Sequence, residues 1–190
     1  IYTLTKDGRA EVSNYPTRKL PTDMNVPLSV QNNFGLFYKL LFDRAWRNYG
    51  RRSVLLEYAW DLSGSNFTKC DPCATTPPTL AELKEAGAWW VTEATSSGGW
   101  GNSADYNGDL FFTRMHVRYS REHYPEDLTF IETPNKEPYQ CRYVIHHKAE
   151  GDLSCAAGKQ YIKDLRKRRQ KEQQNLLALT GRESLGAAPR

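Results

Sequence analysis

The sequence lacks the long hydrophobic runs and the catalytic motifs that would place it in a familiar class. No stretch approaches the ~18 consecutive apolar residues that span a bilayer, and no basic-then-apolar leader opens the chain. We therefore expect neither a membrane span nor a signal of its own. A G-x-S-x-G element, a phosphate-binding loop and a dinucleotide fingerprint are also missing. Because the chain starts at Ile1 in strand-like sequence, we expect a processed product or a fragment of a longer protein.

Histidine is scarce, with four residues in 190. His146 and His147 are neighbours on a predicted strand, so they point to opposite faces and cannot chelate one ion together. His116 lies between two arginines of a predicted strand, and His123 lies in a loop. The pattern predicts no catalytic residue, no metal site and no cofactor, and hence a protein that is not an enzyme.

The four cysteines leave three interpretations open. Cys70 and Cys73 form a C-x-x-C element, whereas thirteen residues separate Cys141 from Cys155. The favoured interpretation is structural disulfides in an oxidising compartment. Closing a loop as long as that between Cys141 and Cys155 is worth on the order of 3 kcal/mol. A tetrahedral zinc site built from the four thiolates is the second. A redox dithiol at Cys70 and Cys73 is the third.

Positive charge is concentrated near the C-terminus. Residues 156–190 carry nine Lys or Arg against three Asp or Glu, while the remainder carries 17 against 19. A nucleic-acid domain would spread its positive charge along a groove-facing surface, so we expect no nucleic-acid partner. The basic run contains Arg166, Arg168 and Arg169, and it indicates contact with an acidic protein or with anionic lipid headgroups.

Hydrophobic periodicity predicts an α+β fold with a mainly antiparallel sheet and two to three helices, including a long basic C-terminal helix. We expect a core domain over 1–155 and a helix with its tail over 156–190. The predicted strands are a hairpin over 2–12 turning at Asp7-Gly8, then 53–62, 110–119, 128–132 and 139–147. The predicted helices are 33–49, a short one capped by Thr79, and 158–180 ended by Gly181. Residues 16–27 are expected to run extended over the surface, and residues 92–109 to form a long loop.

Charged and aromatic residues outside these patterns are candidates for interaction. Glu57 and Asp61 share a face of one predicted strand, about 13 Å apart at the usual rise per residue, which is too far for a glycosidase pair. They are expected to complement Arg114, Arg118 or Arg142 on neighbouring strands. The alternative is that those arginines form a binding site for an anion. Trp100 stands alone in a glycine-rich loop, where an exposed aromatic residue favours contact with a partner.

A further set of short segments, in order along nearly the whole chain, carries a resemblance to a known family. The segments are Gly8–Val12 with Asn14-Tyr15, Phe37-Tyr38 to Asp43-Arg44, Glu57–Trp60, Cys70–Cys73, Thr113–Tyr119, Pro125–Leu128, Gln140 with Arg142-Tyr143, and Leu179–Gly181. In these segments the chain resembles a family of bacterial extracytoplasmic proteins known as domain of unknown function 2330. The resemblance implies an envelope location, and it implies that this chain is the C-terminal half of a longer precursor whose N-terminal half follows a signal peptide. The family has no established activity, so the resemblance supplies no catalytic residues. Cys141 and the long 92–109 loop depart from the family pattern.

Together these observations predict a non-enzymatic extracytoplasmic module, an accessory or scaffolding subunit of an envelope complex. It would bind protein partners and contact the membrane only peripherally, through its basic helix. One alternative is an envelope thiol-redox or metal-binding protein that uses the Cys70/Cys73 loop. Another is an anion- or glycan-binding module that uses Trp100 and the arginine face.

Overall fold

A computed structural model describes residues 1–63, 78–93 and 106–185 of the chain. The fold is α+β, as the periodicity predicts, and its sheets are mixed. The helices are α1 (Ser29–Asn32), α2 (Phe34–Asn48), α3 (Leu80–Glu85) and α4 (Ala156–Thr180). The strands are β1 (Tyr2–Thr5), β2 (Ala10–Val12), β3 (Thr17–Lys19), β4 (Met24–Val26), β5 (Val54–Asp61), β6 (Thr92–Glu93), β7 (Tyr106–Asn107), β8 (Phe111–His116), β9 (Phe130–Glu132), β10 (Tyr139–Gln140) and β11 (Tyr143–Ile145).

The chain forms two compact units, each built from two stretches of sequence. The first unit contains Ile1–Lys19 and Arg52–Gln140, and the second contains Leu20–Arg51 and Cys141–Arg190. The second unit therefore includes α4 together with β4, β11 and α2. The expected division into 1–155 and 156–190 stays a prediction.

A five-stranded sheet forms the centre of the first unit. Its strands run in the order β1-β8-β5-β10, and β3 pairs with β5. All these pairings are antiparallel except that of β3 with β5. On β8 the side chains alternate, so that Phe111, Thr113 and Met115 are buried while Phe112, Arg114 and His116 are half-buried on the opposite face. The strand predicted over 110–119 is thus confirmed from Phe111 to His116, and it ends three residues earlier than predicted.

A β-bulge shifts the side-chain phase in the middle of β5. Leu56 lies opposite Met115, but the next registered pair is Tyr58 with Arg114, so Glu57 is an extra residue. A bulge changes which face the following side chains occupy. Ala59, rather than Tyr58, is consequently the next fully buried residue after Leu56. The prediction of unbroken alternation over 53–62, with Glu57 and Asp61 on one face, is therefore wrong: Tyr58 is registered with Arg114, and Asp61 with the buried Phe111.

A small apolar cluster joins α3 to β7 and to the residue that precedes β8. Leu83, Val91, Tyr106 and Leu110 are buried together there. The helix begins with the predicted cap: the Thr79 hydroxyl accepts a hydrogen bond from the Glu82 amide, and the Glu82 carboxylate accepts one from the Thr79 amide. This reciprocal box satisfies two amides that lack partners within the helix. The bonds that the Glu82 carboxylate accepts from the Thr79 amide and from the Thr79 hydroxyl hold the pKa of Glu82 below its ordinary value.

The hairpin predicted over 2–12 does not form, although both of its strands do. Strand β1 pairs with β8, and β2 pairs with β9. A Cβ on Gly8 would lie 2.5 Å from the Thr133 carbonyl oxygen and 2.9 Å from that of Asn135. Gly8 therefore lets the chain pass close to residues 133–135, where the Arg9 amide donates to the Asn135 carbonyl at 2.9 Å. The Asp-Gly pair marks a crossing between two sheets rather than a two-residue turn.

The second unit packs α2 and α4 with a two-stranded parallel sheet of β4 and β11. Helix α2 follows the prediction, with Phe37, Leu41 and Ala45 buried on one stripe. Helix α4 buries Leu176 and Leu179 and ends at Gly181, whose φ of +73° is the left-handed conformation expected of a C-terminal glycine.

Three other expectations need correction. Residues 16–27 are not merely extended surface, because they form β3 and β4 and bury Val26. The ends of the predicted 92–109 loop pair as β6 and β7, while 94–105 lie outside the described residues. The strand predicted over 139–147 is two strands, β10 and β11, which belong to different sheets.

Candidate functional site

The bulged residue Glu57 joins two of the predicted interaction residues in one polar cluster. Its carboxylate Oε2 lies 2.8 Å from Arg114 Nε and 2.5 Å from His116 Nε2. The Glu57 side chain is 13% exposed, and those of Arg114 and His116 are about one-third exposed. The charge pairing expected between the strands is therefore present, with Arg114 as the partner. Sequence reasoning placed Glu57 on the face opposite Tyr58, and the bulge brings both residues to the face of Arg114.

Aromatic rings surround this cluster on the same face of the sheet. The Tyr58 ring lies 5.9 Å from that of Trp60 and 5.5 Å from that of Phe112. The Arg114 guanidinium lies 5.1 Å from the centre of the Tyr2 ring, within the range of a cation–π contact. Burial raises the pKa of Tyr58, because its phenolate would be poorly solvated there. The face thus combines one acid, one permanent cation, one imidazole and several ring surfaces.

Glu57→Gln should lower the free energy of unfolding by about 1–2 kcal/mol, because it leaves the partly buried Arg114 cation without a charged acceptor. Urea denaturation would measure the change. Glu85→Gln removes an exposed carboxylate on α3 and is the matched control, with little expected effect. In a double-mutant cycle with Arg114→Met, the cost of Glu57→Gln should shrink. An unchanged cost would mean that the pair contributes nothing to stability.

The structure places the other two predicted arginines outside β5 and β8. Arg118 lies beyond the end of β8 and is exposed. Arg142 belongs to the second unit, where its Nε lies 2.5 Å from Asp23 Oδ1. Of the three arginines, Arg114 is the one that lies on a strand beside Glu57, and its guanidinium contacts that carboxylate.

Helix α4 presents the predicted basic run on its exposed side. Arg166 and Arg169 are exposed, whereas Arg168 is half-buried, with its Nε 3.7 Å from Glu172 and its guanidinium 5.9 Å from the Tyr161 ring centre. Asp164, an exposed acid on the same turns, accepts both of its hydrogen bonds from Gln160. The exposed cations of these turns are Lys159, Lys163, Arg166, Lys167, Arg169 and Lys171.

The structure forms no disulfide between Cys141 and Cys155, the two cysteines of its described part. Cys155 instead caps α4, since its Sγ accepts a hydrogen bond from the Gly158 amide at 3.3 Å. The Cys141 sulfur lies 3.3 Å from the Tyr143 hydroxyl. Cys70 and Cys73 fall outside the described residues, as does Trp100, so their predicted roles stay predictions.

Two further histidines lie beside polar side chains. His123 Nδ1 lies 2.7 Å from the Ser120 hydroxyl, and His146 Nε2 lies 3.2 Å from the Asn25 side-chain oxygen. Over residues 1–63, 78–93 and 106–185, no three His, Cys, Asp or Glu side chains are grouped so that they could hold a metal ion.

Comparisons with known proteins leave the family of this chain unassigned. The chain matches no protein-family model, no curated protein and no solved structure. The resemblance to the bacterial envelope family stays a prediction. In the part of the chain that the structure describes, every helix is too short or too polar to cross a lipid bilayer.

Proposed function

We propose that this chain is a non-enzymatic extracytoplasmic module that docks on an acidic protein surface through the basic face of α4. We define the basic face as Lys159, Lys163, Arg166, Lys167, Arg169 and Lys171. The chain would serve as an accessory or scaffolding subunit of an envelope complex. The observation that carries the proposal is the exposure of these six cations over four helical turns.

The charge of the basic face is not neutralised within the helix. Asp164 is the exposed acid among these cations, so one negative charge stands against six positive ones. Its two oxygens accept hydrogen bonds from the Gln160 amide. Like charges one turn apart destabilise a helix slightly. A partner carrying carboxylates would relieve that repulsion and would also accelerate association by electrostatic steering.

A protein partner fits the helix better than a membrane does. An interfacial helix inserts a broad apolar face into the lipid boundary. Leu176 and Leu179, the strongest apolar positions of α4, are already buried. Ile162 is the large aliphatic side chain exposed along the basic turns, and one such residue offers little area to bury in lipid.

Removing charge from the basic face should dissociate the proposed complex. The variant Arg166→Gln/Lys167→Gln/Arg169→Gln lowers the charge by three while keeping long polar side chains that favour helix. Under mild extraction from envelopes, the native chain should migrate above its mass of 21.8 kDa, together with its partner. The variant should migrate as a monomer, and raised salt should have the same effect on the native chain.

A matched control separates the basic face from net charge. Lys6→Gln/Lys39→Gln/Lys136→Gln removes the same charge at exposed positions outside α4, and this variant should stay in the complex. If both variants remained bound, or if the native chain were always monomeric, the proposal would fail. If the purified native chain floated with anionic vesicles, peripheral membrane binding would replace protein docking as the role of the basic face.

The two alternative functions have less support. The anion site needs arginines that can accept a new acid, but Arg114 and Arg142 each contact a carboxylate. The thiol-redox alternative depends on Cys70 and Cys73, which the structure does not describe, and it stays a prediction.

A further inference from the structure

A cleft of about 680 Å³ lies in the first unit, beside β2 and β3. Its volume suits a small ligand of one or two rings. Leu56 is fully buried beneath it. The lining is mostly polar and comes from one continuous stretch of chain, Glu11–Thr17, together with Arg9, Lys19 and Leu56.

Arg9 is the unusual residue of this cleft, because it is an arginine only 6% exposed. Its Nε and Nη2 donate to Glu11 Oε1 at 3.1 and 2.8 Å. Its Nη1 is buried and has no hydrogen-bond partner among the described residues. The Thr17 hydroxyl lines the same cleft and is likewise buried without a partner there. Buried donors without partners are rare and costly in folded proteins, so two in one cleft point to a ligand that satisfies both.

The walls of the cleft are held in place before any ligand arrives. The Asn14 side chain donates to the Asp127 carbonyl at 2.7 Å and accepts from the Thr129 amide at 3.1 Å. The Tyr15 hydroxyl donates to the Glu126 carbonyl at 3.0 Å. A preformed site loses little conformational entropy when it binds a ligand.

The charges of the cleft balance, which selects against an anionic ligand. Arg9 is paired with Glu11, and Lys19 lies 2.8 Å from Glu137. That contact also lowers the pKa of the Glu137 carboxyl, which keeps the pair ionised. An added carboxylate or phosphate would meet the Glu11 charge at close range. A neutral ligand carries no such cost.

The groups that a ligand could satisfy include a donor and an acceptor. Arg9 Nη1 can only donate, the second oxygen of Glu11 can only accept, and the Thr17 hydroxyl can do either. Each hydroxyl of a ligand with adjacent hydroxyl groups can both donate and accept, so such a ligand can satisfy this set, whereas the carbonyl and the N–H of an amide can each do only one. We propose that the cleft binds a neutral sugar residue, with neighbouring hydroxyls bonded to Arg9, Glu11 and Thr17. The site shares no residue with the basic face of α4 and stands independently of the docking proposal.

Two-dimensional amide NMR of the isotope-labelled full chain would test the site. The probes are glucose, mannose, galactose and N-acetylglucosamine at millimolar concentration, with acetate for comparison. At least one sugar should produce saturable shifts at the Arg9 side-chain N–H and at the Thr17 amide. Thr17→Val keeps the shape of the side chain but removes the hydroxyl, and it should weaken that binding at least about tenfold.

The same variant distinguishes a ligand contact from a structural role. Because the Thr17 hydroxyl has no partner in the described structure, Thr17→Val should leave the unfolding midpoint unchanged or raise it. Thr92→Val, at an exposed position of β6, is the control and should bind as the native chain does. The proposal is wrong if no sugar shifts these signals, if acetate alone does, or if Thr17→Val binds with unchanged affinity.

Discussion

Replacing Phe37 by alanine should lower the free energy of unfolding of the second unit by about 3–5 kcal/mol, the range for truncating a buried phenylalanine. Phe37 is 0% exposed on the buried stripe of α2. Its ring meets that of Tyr143 edge to face, with centroids 5.1 Å apart. The Tyr143 hydroxyl is anchored on the Pro21 carbonyl at 2.7 Å, so the ring cannot readily move to fill the space. Urea denaturation followed by circular dichroism would measure the loss.

Phe34, one turn earlier in the same helix, provides the matched control. It is 56% exposed, and its ring contacts those of Phe37 and Tyr38 at 6.3 and 6.0 Å. Phe34→Ala should cost less than about 1 kcal/mol, because most of that ring is already in water. Similar losses for the two variants would mean that α2 is not held by the stripe of Phe37, Leu41 and Ala45.

Sequence reasoning succeeded where the determinants of structure are local. Helix α2 follows from apolar residues at three- and four-residue spacing, and the start of α3 follows from Thr79 as its cap. Helix α4 ends where Gly181 permits a left-handed residue. Each of these features depends on residues within about one turn of one another, so the chain itself carries the signal.

Pairing between distant segments was not predictable in the same way. Strand β1 is separated from its partner β8 by more than one hundred residues, and the Asp7-Gly8 pair favoured a local hairpin instead. Only the Thr133 and Asn135 carbonyls, which leave no space for a Cβ on Gly8, explain why the chain crosses between sheets there. No residue near Gly8 in the sequence predicts its close approach to residues 133–135.

The candidate sites show the same contrast. The basic face of α4 was predictable in part, because unpaired cations on a packed helix stay in water, although Arg168 of the same run is half-buried. The Glu57 cluster was predictable only in its members, since the bulge that turns Glu57 toward Arg114 depends on the register with β8. Arg9 was missed altogether. An arginine directly after Asp-Gly is typical of an exposed turn. The burial of Arg9 results from packing against distant segments, which no local sequence pattern predicts.

Gly158→Ala should destabilise the second unit by about 1–3 kcal/mol, although alanine is the better helix former. Gly158 lies in the first turn of α4 and is buried. A Cβ at this position would lie 2.6 Å from the carbonyl carbon and from the Cα of Leu153, and closer still to the carbonyl oxygen. These are backbone atoms, so no rotamer change can relieve the overlap. The residue also donates its amide to the capping Cys155 sulfur at 3.3 Å.

Gly35→Ala is the matched substitution and should have the opposite sign. Gly35 also lies in the first turn of a helix, but nothing stands within 4 Å of the position that its Cβ would take. Alanine should therefore stabilise α2 by about 0.5–1 kcal/mol. Chemical denaturation would give the change in the free energy of unfolding for each variant. If Gly158→Ala were stabilising, Leu153 would not pack on the helix.

Amide hydrogen exchange would then show which part of α4 is destabilised in Gly158→Ala. If the first turn of α4 opens in Gly158→Ala, protection should be lost around Lys159 and Lys163, and the variant should also weaken docking through the basic face.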